Sequence, residues 1–589
     1  MSALKTAADW LDERTDWRSW SKSYLDHPLV GGGPLASAIA ASVATCFGVL
    51  ALTGVLLMTA YAPSPQTAWA SVHYVEFVQA GGWLIRGLHY WAAQMFFVLA
   101  GLHVVQAALA GTYRKPGEVG WWLTLLVLGM AVGEGITGGL LPWDQLGWWA
   151  RVVEGNIAGL APVIGGFVSQ MIAGGTELGA LGLTRAFTEH VILLPPILAL
   201  AIWGRRRLAG RAPDAGREGA RVARNALVAV LVLFALFALV GARHGAPLEA
   251  PADPLSDYPA RPEWFLMPMY QLRKFFHGAM EFWGTSLVPG AAVGYLVVLP
   301  WIDKPGRSRV ATVFAPVIFI FAGAGVLSAM ARSHDMHDSH YVKARAKSDR
   351  EADAAIKLAM NGVPPAGALA MVRADPEIHG RALFDAHCAS CHVLGDLGDP
   401  EKATATRLDG WGTPEWIEAM IHDPDGPLFF GKGPYKEQMP SVDQRPANKP
   451  AGEAWTAMVK TDAEKTSIAL FLASLGDEPG DPARPALDAK TRAAAEKIVS
   501  ERCTSCHLYK GQGDDEGSGI APELAGYGSI AWTKAQVANP ANVATYREKA
   551  LDADMKKHMP RFDTDLSAAD VEIVARWTRE HARATPFAH

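Results

Sequence analysis

Four of the five cysteines in this 589-residue chain fall into two Cys-x-x-Cys-His runs, Cys388-Ala389-Ser390-Cys391-His392 and Cys503-Thr504-Ser505-Cys506-His507. Two thiols on one turn can add to the two vinyl groups of a porphyrin while the adjacent imidazole takes an axial position on its iron, so this spacing is an attachment signal for c-type haem. A bare Cys-x-x-Cys also suits half a zinc site or a thioredoxin-like pair. The following His, the double occurrence, and a Met-Pro 47 residues after His392 (Met439-Pro440) and 52 after His507 (Met559-Pro560) weigh against both. Met439 and Met559 offer a thioether as sixth ligand, which raises the potential of an iron. Three further imidazoles sit in apolar sequence. His89 and His103 are 14 residues apart, about four helical turns and ~21 Å of rise, so they leave one face at two depths and suit two stacked haems. His190, on another apolar run, can reach an iron opposite His89. An intramembrane imidazole is costly enough to point to function.

The elements that position these groups divide the chain. It is 50% hydrophobic and 19% charged, too apolar for a soluble protein and too polar for a bare membrane bundle, so it is a composite. Its net charge of −5, with no basic run interleaved with aromatics, excludes a nucleic-acid groove. Seven apolar runs, at 34–62, 82–111, 119–141, 186–204, 223–243, 284–301 and 309–330, approach or exceed the ~20 residues that cross a bilayer. Ala226 to Val240 carries no charge and leaves no polar face for water. The loops with Arg114 and Lys115, with Arg205 through Arg224, and with Lys304, Arg307 and Arg309 are predicted to be cytoplasmic. Seven spans from a cytoplasmic N-terminus then place everything after residue 331 outside, where c-type haem is attached. Met1 to His27 is charged and Trp-rich rather than a cleavable signal. The expected location is a bacterial inner membrane, multi-pass, with the haem c segments in the periplasm. Residues 332–375 read as a polar linker with one helix, and two similar units follow at 376–477 and 486–589, each with helix, haem signal, Met-Pro and closing helix, separated by a Pro-rich joint from Glu478 to Pro485. Both units resemble class I cytochromes c. The predicted fold class is all-α, a seven-span bundle over 1–331 followed by two class I cytochrome c domains.

Within the bundle, Gly82-Trp83-Leu84-Ile85-Arg86-Gly87-Leu88-His89, Leu141-Pro142-Trp143-Asp144-Gln145, Leu183-Thr184-Arg185 before His190, and Arg261-Pro262-Glu263-Trp264-Phe265 resemble the cytochrome b of bc complexes, especially of the bf type. The resemblance covers about residues 8–331, with a four-helix haem-binding part over about 1–210 and a three-helix part over 211–331. It implies a haem b between His89 and His190, Arg86 and Arg185 near its propionates, and Gly54 and Gly138 clearing space for the ring. It also implies a quinol-oxidation pocket built from the Trp143-Asp144 loop and from Pro262, Glu263 and Trp264, in which Glu263 accepts a proton from quinol. The implied activity is quinol–cytochrome c oxidoreduction, with a Rieske iron–sulfur protein supplied in trans, a periplasmic electron acceptor and a dimeric complex.

Several positions depart from that pattern. Phe265 stands where the family has Tyr. For a second haem opposite His103, positions 204 and 205 are Gly and Arg, Gln106 replaces an Arg, and two helix-crossing glycines align with Ala40 and Thr124. The inner haem is therefore expected to be absent or held by His103 alone, which interrupts a full Q-cycle. The attachment cysteine of the bf type aligns with Ala38, and Cys46 reads as a small buried residue. His334, His337 and His340 read as solvated. Two rivals stand beside the favoured reading: a single-b-haem subunit without a Q-cycle, and a membrane anchor for dihaem cytochrome c with no quinone chemistry.

Overall fold

The computed structural model describes residues 9, 10, 12–16, 18, 19, 33–208, 218–433, 435–444, 458–476, 485–513, 521–542, 544–546 and 559–587. His558, His589, residues 478–484 of the Pro-rich joint and residues 209–217 of the Arg-dense loop lie outside them. Regular structure among the described residues is helical, apart from three isolated β-bridges. The chain divides between Met371 and Val372 into two compact units.

The first unit is built on helices α1 (Gly33–Met58), α2 (Gly82–Ala110), α3 (Glu118–Leu140), α4 (Ala180–Leu208), α5 (Glu218–Arg243), α6 (Trp283–Ile302) and α7 (Val310–His337). All seven are long and apolar enough to span a bilayer. The first four form a bundle in which α2 packs on α1 and α3, and α3 on α4. Fully buried alanines on α2, at 92, 100, 107 and 108, let neighbouring backbones come close. Outward faces are apolar too, as at Phe234 (72% exposed) and Phe319 (79%), which suits lipid rather than water. Cys46 is fully buried in the core with Val43 and Ala92. Helix α4 is interrupted by a π turn at Glu189–Leu193, directly before Pro195 and Pro196, whose missing N–H groups favour a widened turn.

The stretch 332–375 holds a second, shorter helix, Ala368–Ala374, besides the one expected. Helix α8 (Ser339–Ala359) buries Ser348, Ala352, Ala355 and Ala359, a helical stripe of small residues, and packs within the first unit. His73 Nε2 meets the Ile356 carbonyl at 3.1 Å, and Arg345 pairs with the buried Glu249.

The second unit carries α9 (Pro376–His387), α10 (Pro414–His422), α11 (Asp462–Ala473), α12 (Ala489–Arg502), α13 (Ile530–Ala538) and α14 (Ala568–Ala584). Each begins at an Asp, Ser or Thr whose side chain accepts a hydrogen bond from the first turn, namely Asp375, Thr413, Thr461, Asp488, Ser529 and Ser567. The two halves at 376–477 and 486–589 do not pack as separate bodies. Opening helix α9 packs on α14, the closing helix of the other half, and α11 packs on α12. A Cβ on Gly380 would stand 2.4 Å from Trp577 Cβ, and the Phe384 and Trp577 rings are 5.5 Å apart. His379 Nε2 lies 2.8 Å from Asp570, and His581 Nε2 lies 2.9 Å from Glu377. One core joins Phe384, Trp416 and Phe471 to Tyr509, Trp532 and Val574. The physical reason is local fit: only a glycine, at 380, leaves room for Trp577 of the other half's closing helix.

Candidate functional site

His89 on α2 and His190 on α4 face each other with ring centroids 6.2 Å apart. With a metal–nitrogen bond of about 2 Å on each side, one iron fits between them. Each ring is held by a threonine. Thr53 Oγ1 donates to the Val49 carbonyl at 2.6 Å and so accepts from His89 Nδ1–H at 2.9 Å. Thr137 Oγ1 donates to the Gly133 carbonyl at 2.8 Å and accepts from His190 Nδ1–H at 3.2 Å, a proton also offered to Glu134 Oε2 at 2.8 Å. The lone pair of each Nε2 is left for the metal, the arrangement that fixes a metal-binding imidazole. Gly54 and Gly138 lie against these rings: an added Cβ would come within 3.3 Å of His89 Cε1 and 2.6 Å of His190 Cε1.

The two arginines expected beside this site have protein partners. Arg86 pairs with buried Glu76 at 2.8 Å and donates to the carbonyls of Ala246 and Pro247 at 2.9 and 2.6 Å. Its guanidinium thus pins the chain entering the 246–252 segment. Arg185 donates to the Met171 carbonyl at 3.2 Å. Toward the other end of the bundle His103 is buried, and its Nδ1 and the Gln106 Oε1 have no hydrogen-bond partner among the described residues.

At the end of the bundle nearer His89, the loop after α3 and the segment before α6 meet. Trp143 has φ of 51°, and Asp144 caps the helix Gln145–Gly159, accepting from Gly147 N at 2.9 Å and from Glu249 N at 3.2 Å. Residues 143–145 pair with 250–252 through Gln145 N to the Ala250 carbonyl and Ala252 N to the Trp143 carbonyl. The Pro-Glu-Trp-Phe turn lies along α3: Glu263 Oε1 would be 3.0 Å from a Cβ on Gly139, and Phe265 Cζ would be 2.6 Å from one on Gly135. Trp264 Nε1 donates to Gln94 Oε1, and Arg261 grips Asp335 at the end of α7 through Nε at 3.0 Å and Nη2 at 2.7 Å. Burial, reinforced by the Asp144 charge, pushes the Glu263 carboxyl up to about 7. Burial likewise raises Glu154 to about 7, despite Arg151 3.7 Å away and with Glu263 adding to the rise.

In the second unit, Cys388, Cys391, His392 and Met439 line one cavity of about 580 Å³ together with Cys503, Cys506, His507 and Met559. His392 Nδ1 donates to the Thr406 carbonyl and His507 Nδ1 to the Pro522 carbonyl, each at 2.8 Å. Burial pushes both imidazoles below their ordinary value, so the rings are neutral with Nε2 available. The residues present fit two covalently held porphyrins, which the cysteines would attach and the His and Met side chains would ligate.

The family described as Cytochrome b/b6/petB matches residues 36–204, and that described as Cytochrome c matches residues 493–581. The menaquinol:cytochrome c reductase cytochrome b subunit of Bacillus subtilis (strain 168) is 36% identical over 204 residues, covering 33% of this chain and 91% of that protein. The chain belongs to the cytochrome b family. The cytochrome b6 of Emiliania huxleyi is 32% identical over 197 residues (33% of this chain, 92% of that one), and the cytochrome bc complex cytochrome b subunit of Chlorobaculum thiosulfatiphilum is 30% identical over 302 residues (47% and 69%). A solved structure titled Hyperthermophilic respiratory Complex III aligns with 24% identity and a TM-score of 0.44 over 55% of this chain and 91% of that one. The protein is thus a multi-pass cytochrome b carrying a C-terminal cytochrome c domain, and it contains haem b and haem c sites.

Sequence reasoning missed several residues of this cytochrome b. Thr53 and Thr137 each precede a ring-clearing glycine, so the repeated Thr-Gly was a readable signal. Gly135 and Gly139 form a step on α3 four residues long that admits Phe265 and Glu263. Asp335 sits inside the His334 to His340 run, masked by its imidazoles. In the cytochrome c part, Trp416 and Trp532 stand three residues after the caps Thr413 and Ser529 and donate to the Arg407 and Glu523 carbonyls at 3.2 and 3.1 Å.

Proposed function

We propose that this protein is the fused cytochrome b and cytochrome c subunit of a quinol–cytochrome c oxidoreductase. It oxidises quinol at the periplasmic face of a bacterial inner membrane and passes electrons to periplasmic acceptors. The observation that carries the reading is the Glu263 carboxyl, half-buried on Gly139 beside the Asp144 loop and raised to about 7 at the end of the bundle nearer the His89 and His190 pair. Quinol must lose two protons and two electrons to become quinone. Glu263 takes one hydroxyl proton at its carboxylate oxygen, and Glu154, which feels the Glu263 charge, offers a second carboxylate for moving that proton away. Trp264, fixed by Gln94, and Phe265, seated on Gly135, form the apolar wall that excludes water and orients the ring. A haem b held by His89 and His190, and haems c held by Cys388, Cys391, His392 and Met439 and by Cys503, Cys506, His507 and Met559, supply one-electron acceptance when bound. A Rieske protein in trans and a dimeric assembly complete the proposal. The Lys and Arg distribution among the loops supports the orientation.

The test is steady-state reduction of a soluble cytochrome c by quinol in the assembled complex. Glu263→Gln is expected to lower the rate by about 10²-fold or more, with haem content unchanged. An unchanged rate, insensitive to inhibitors of the outer quinol site, would leave only a membrane-anchored electron carrier.

A further inference from the structure

The His89 and His190 site has a repeat of itself one step along the bundle. It is built from Thr53-Gly54 on α1, His89 on α2, Thr137-Gly138 on α3 and His190 on α4. Moving 14 residues toward the opposite end reaches Ile39-Ala40, His103 and Leu123-Thr124. On α4 the step is 15, because the π turn at Glu189–Leu193 takes one extra residue to complete its rotation. It ends on Arg205.

Every component except the imidazole of His103 has changed in kind. Neither threonine that orients a ring is repeated, and His103 Nδ1 is left without a partner. Both small positions have gained side chains. The position that holds a ligand on the other site holds a guanidinium, which has no lone pair to give a metal. Arg205 is fixed there: it is 7% exposed, and its Nε donates to Thr124 Oγ1 at 2.9 Å while Thr124 donates onward to the Gly120 carbonyl at 2.9 Å. A Cβ on Gly120 would lie 3.7 Å from Arg205 Nη1, so the guanidinium rests on α3 across the gap between the helices. No carboxylate lies within ion-pair distance of it among the described residues. The residues present do not fit a second porphyrin.

We propose that the membrane part holds a single haem b, between His89 and His190, and that Arg205 locked onto Thr124 fills the space a second would need. The chain then carries one haem b for two haems c. This rests on reading His89 and His190 as haem ligands, and it is independent of whether Glu263 serves quinol. With no second site, the inner half of the bundle offers an electron no station on the way to the opposite face.

The experiment is the b-to-c haem ratio of the purified full chain by pyridine haemochrome spectroscopy. One to two is expected. Two to two overturns the inference. Zero to two removes the ligand reading on which it rests, and the inference with it. A triple variant, Arg205→His with Thr124→Gly and Ala40→Gly, is expected to reach two to two, with its haem c content reporting that it has folded. A folded triple variant that stays at one to two overturns Arg205 and Thr124 as the excluding pair. If the variant does not fold, the ratio in the unmodified chain decides alone.

Discussion

His190 has a hydrogen-bond partner that His89 lacks. A carboxylate 2.8 Å from Nδ1 draws on that proton more strongly than a threonine does, making the ring a better electron donor to its metal and favouring the oxidised state. Glu134→Gln is therefore expected to raise the midpoint potential of the b haem without releasing it, as read by a redox titration of the b-haem absorbance; an unmoved potential would mean that Thr137 alone orients the ring. Glu263 makes a second prediction at this scale. Its carboxyl, held up to about 7, accepts a proton only in the ionised form, so quinol oxidation rises as pH passes upward through that value. Because the Asp144 charge contributes to the rise, Asp144→Asn moves this limb to lower pH, and Glu263→Gln abolishes it. A rate profile between pH 5 and 9 measured on all three proteins, with that window set about the raised value, separates the two effects.

Among the elements, the turn carrying Pro262, Glu263 and Trp264 depends on a clamp from elsewhere. Arg261 meets Asp335 through two parallel bonds at the end of α7, a geometry that adds direction to attraction. Replacing Asp335 by Asn forfeits charge-assisted bonding of about 1.5–3 kcal/mol. The expected result is a lower kcat with haem content and spectra intact, and an unchanged kcat would show that the turn holds itself. The seven spans were legible because a run of uncharged residues of bilayer length has few other uses. Helix α8 was less so: its buried face is Ser348, Ala352, Ala355 and Ala359, and small residues leave almost no hydropathy signal. The covalent haem signals were read directly from local spacing, and the Glu263 turn from its resemblance to the family. Two of the partners of Arg86 were not, since the 246 and 247 carbonyls come from 160 and 161 residues away.

At the scale of the whole molecule, the exchanged crossing in the second unit is the feature with the widest reach. Gly380 lies under Trp577, so Gly380→Leu forces the α9 and α14 helices apart, an overpacking that costs about 1–3 kcal/mol. Because each half is closed by a helix of the other, melting followed at each haem c is expected to fall together; a loss confined to the first haem would show that the halves hold themselves. The sequence could not disclose the exchange, because two similar repeats satisfy the hydrophobic pattern in either pairing. It also imposes an order on manufacture. The α9 and α14 contact spans 191 residues, from His379 to Asp570, so the thiols at Cys388 and Cys391 leave the ribosome long before the surface that will cover them exists. The first haem must wait on an open half, exposed to oxidation and to proteases, until the α14 segment has been delivered.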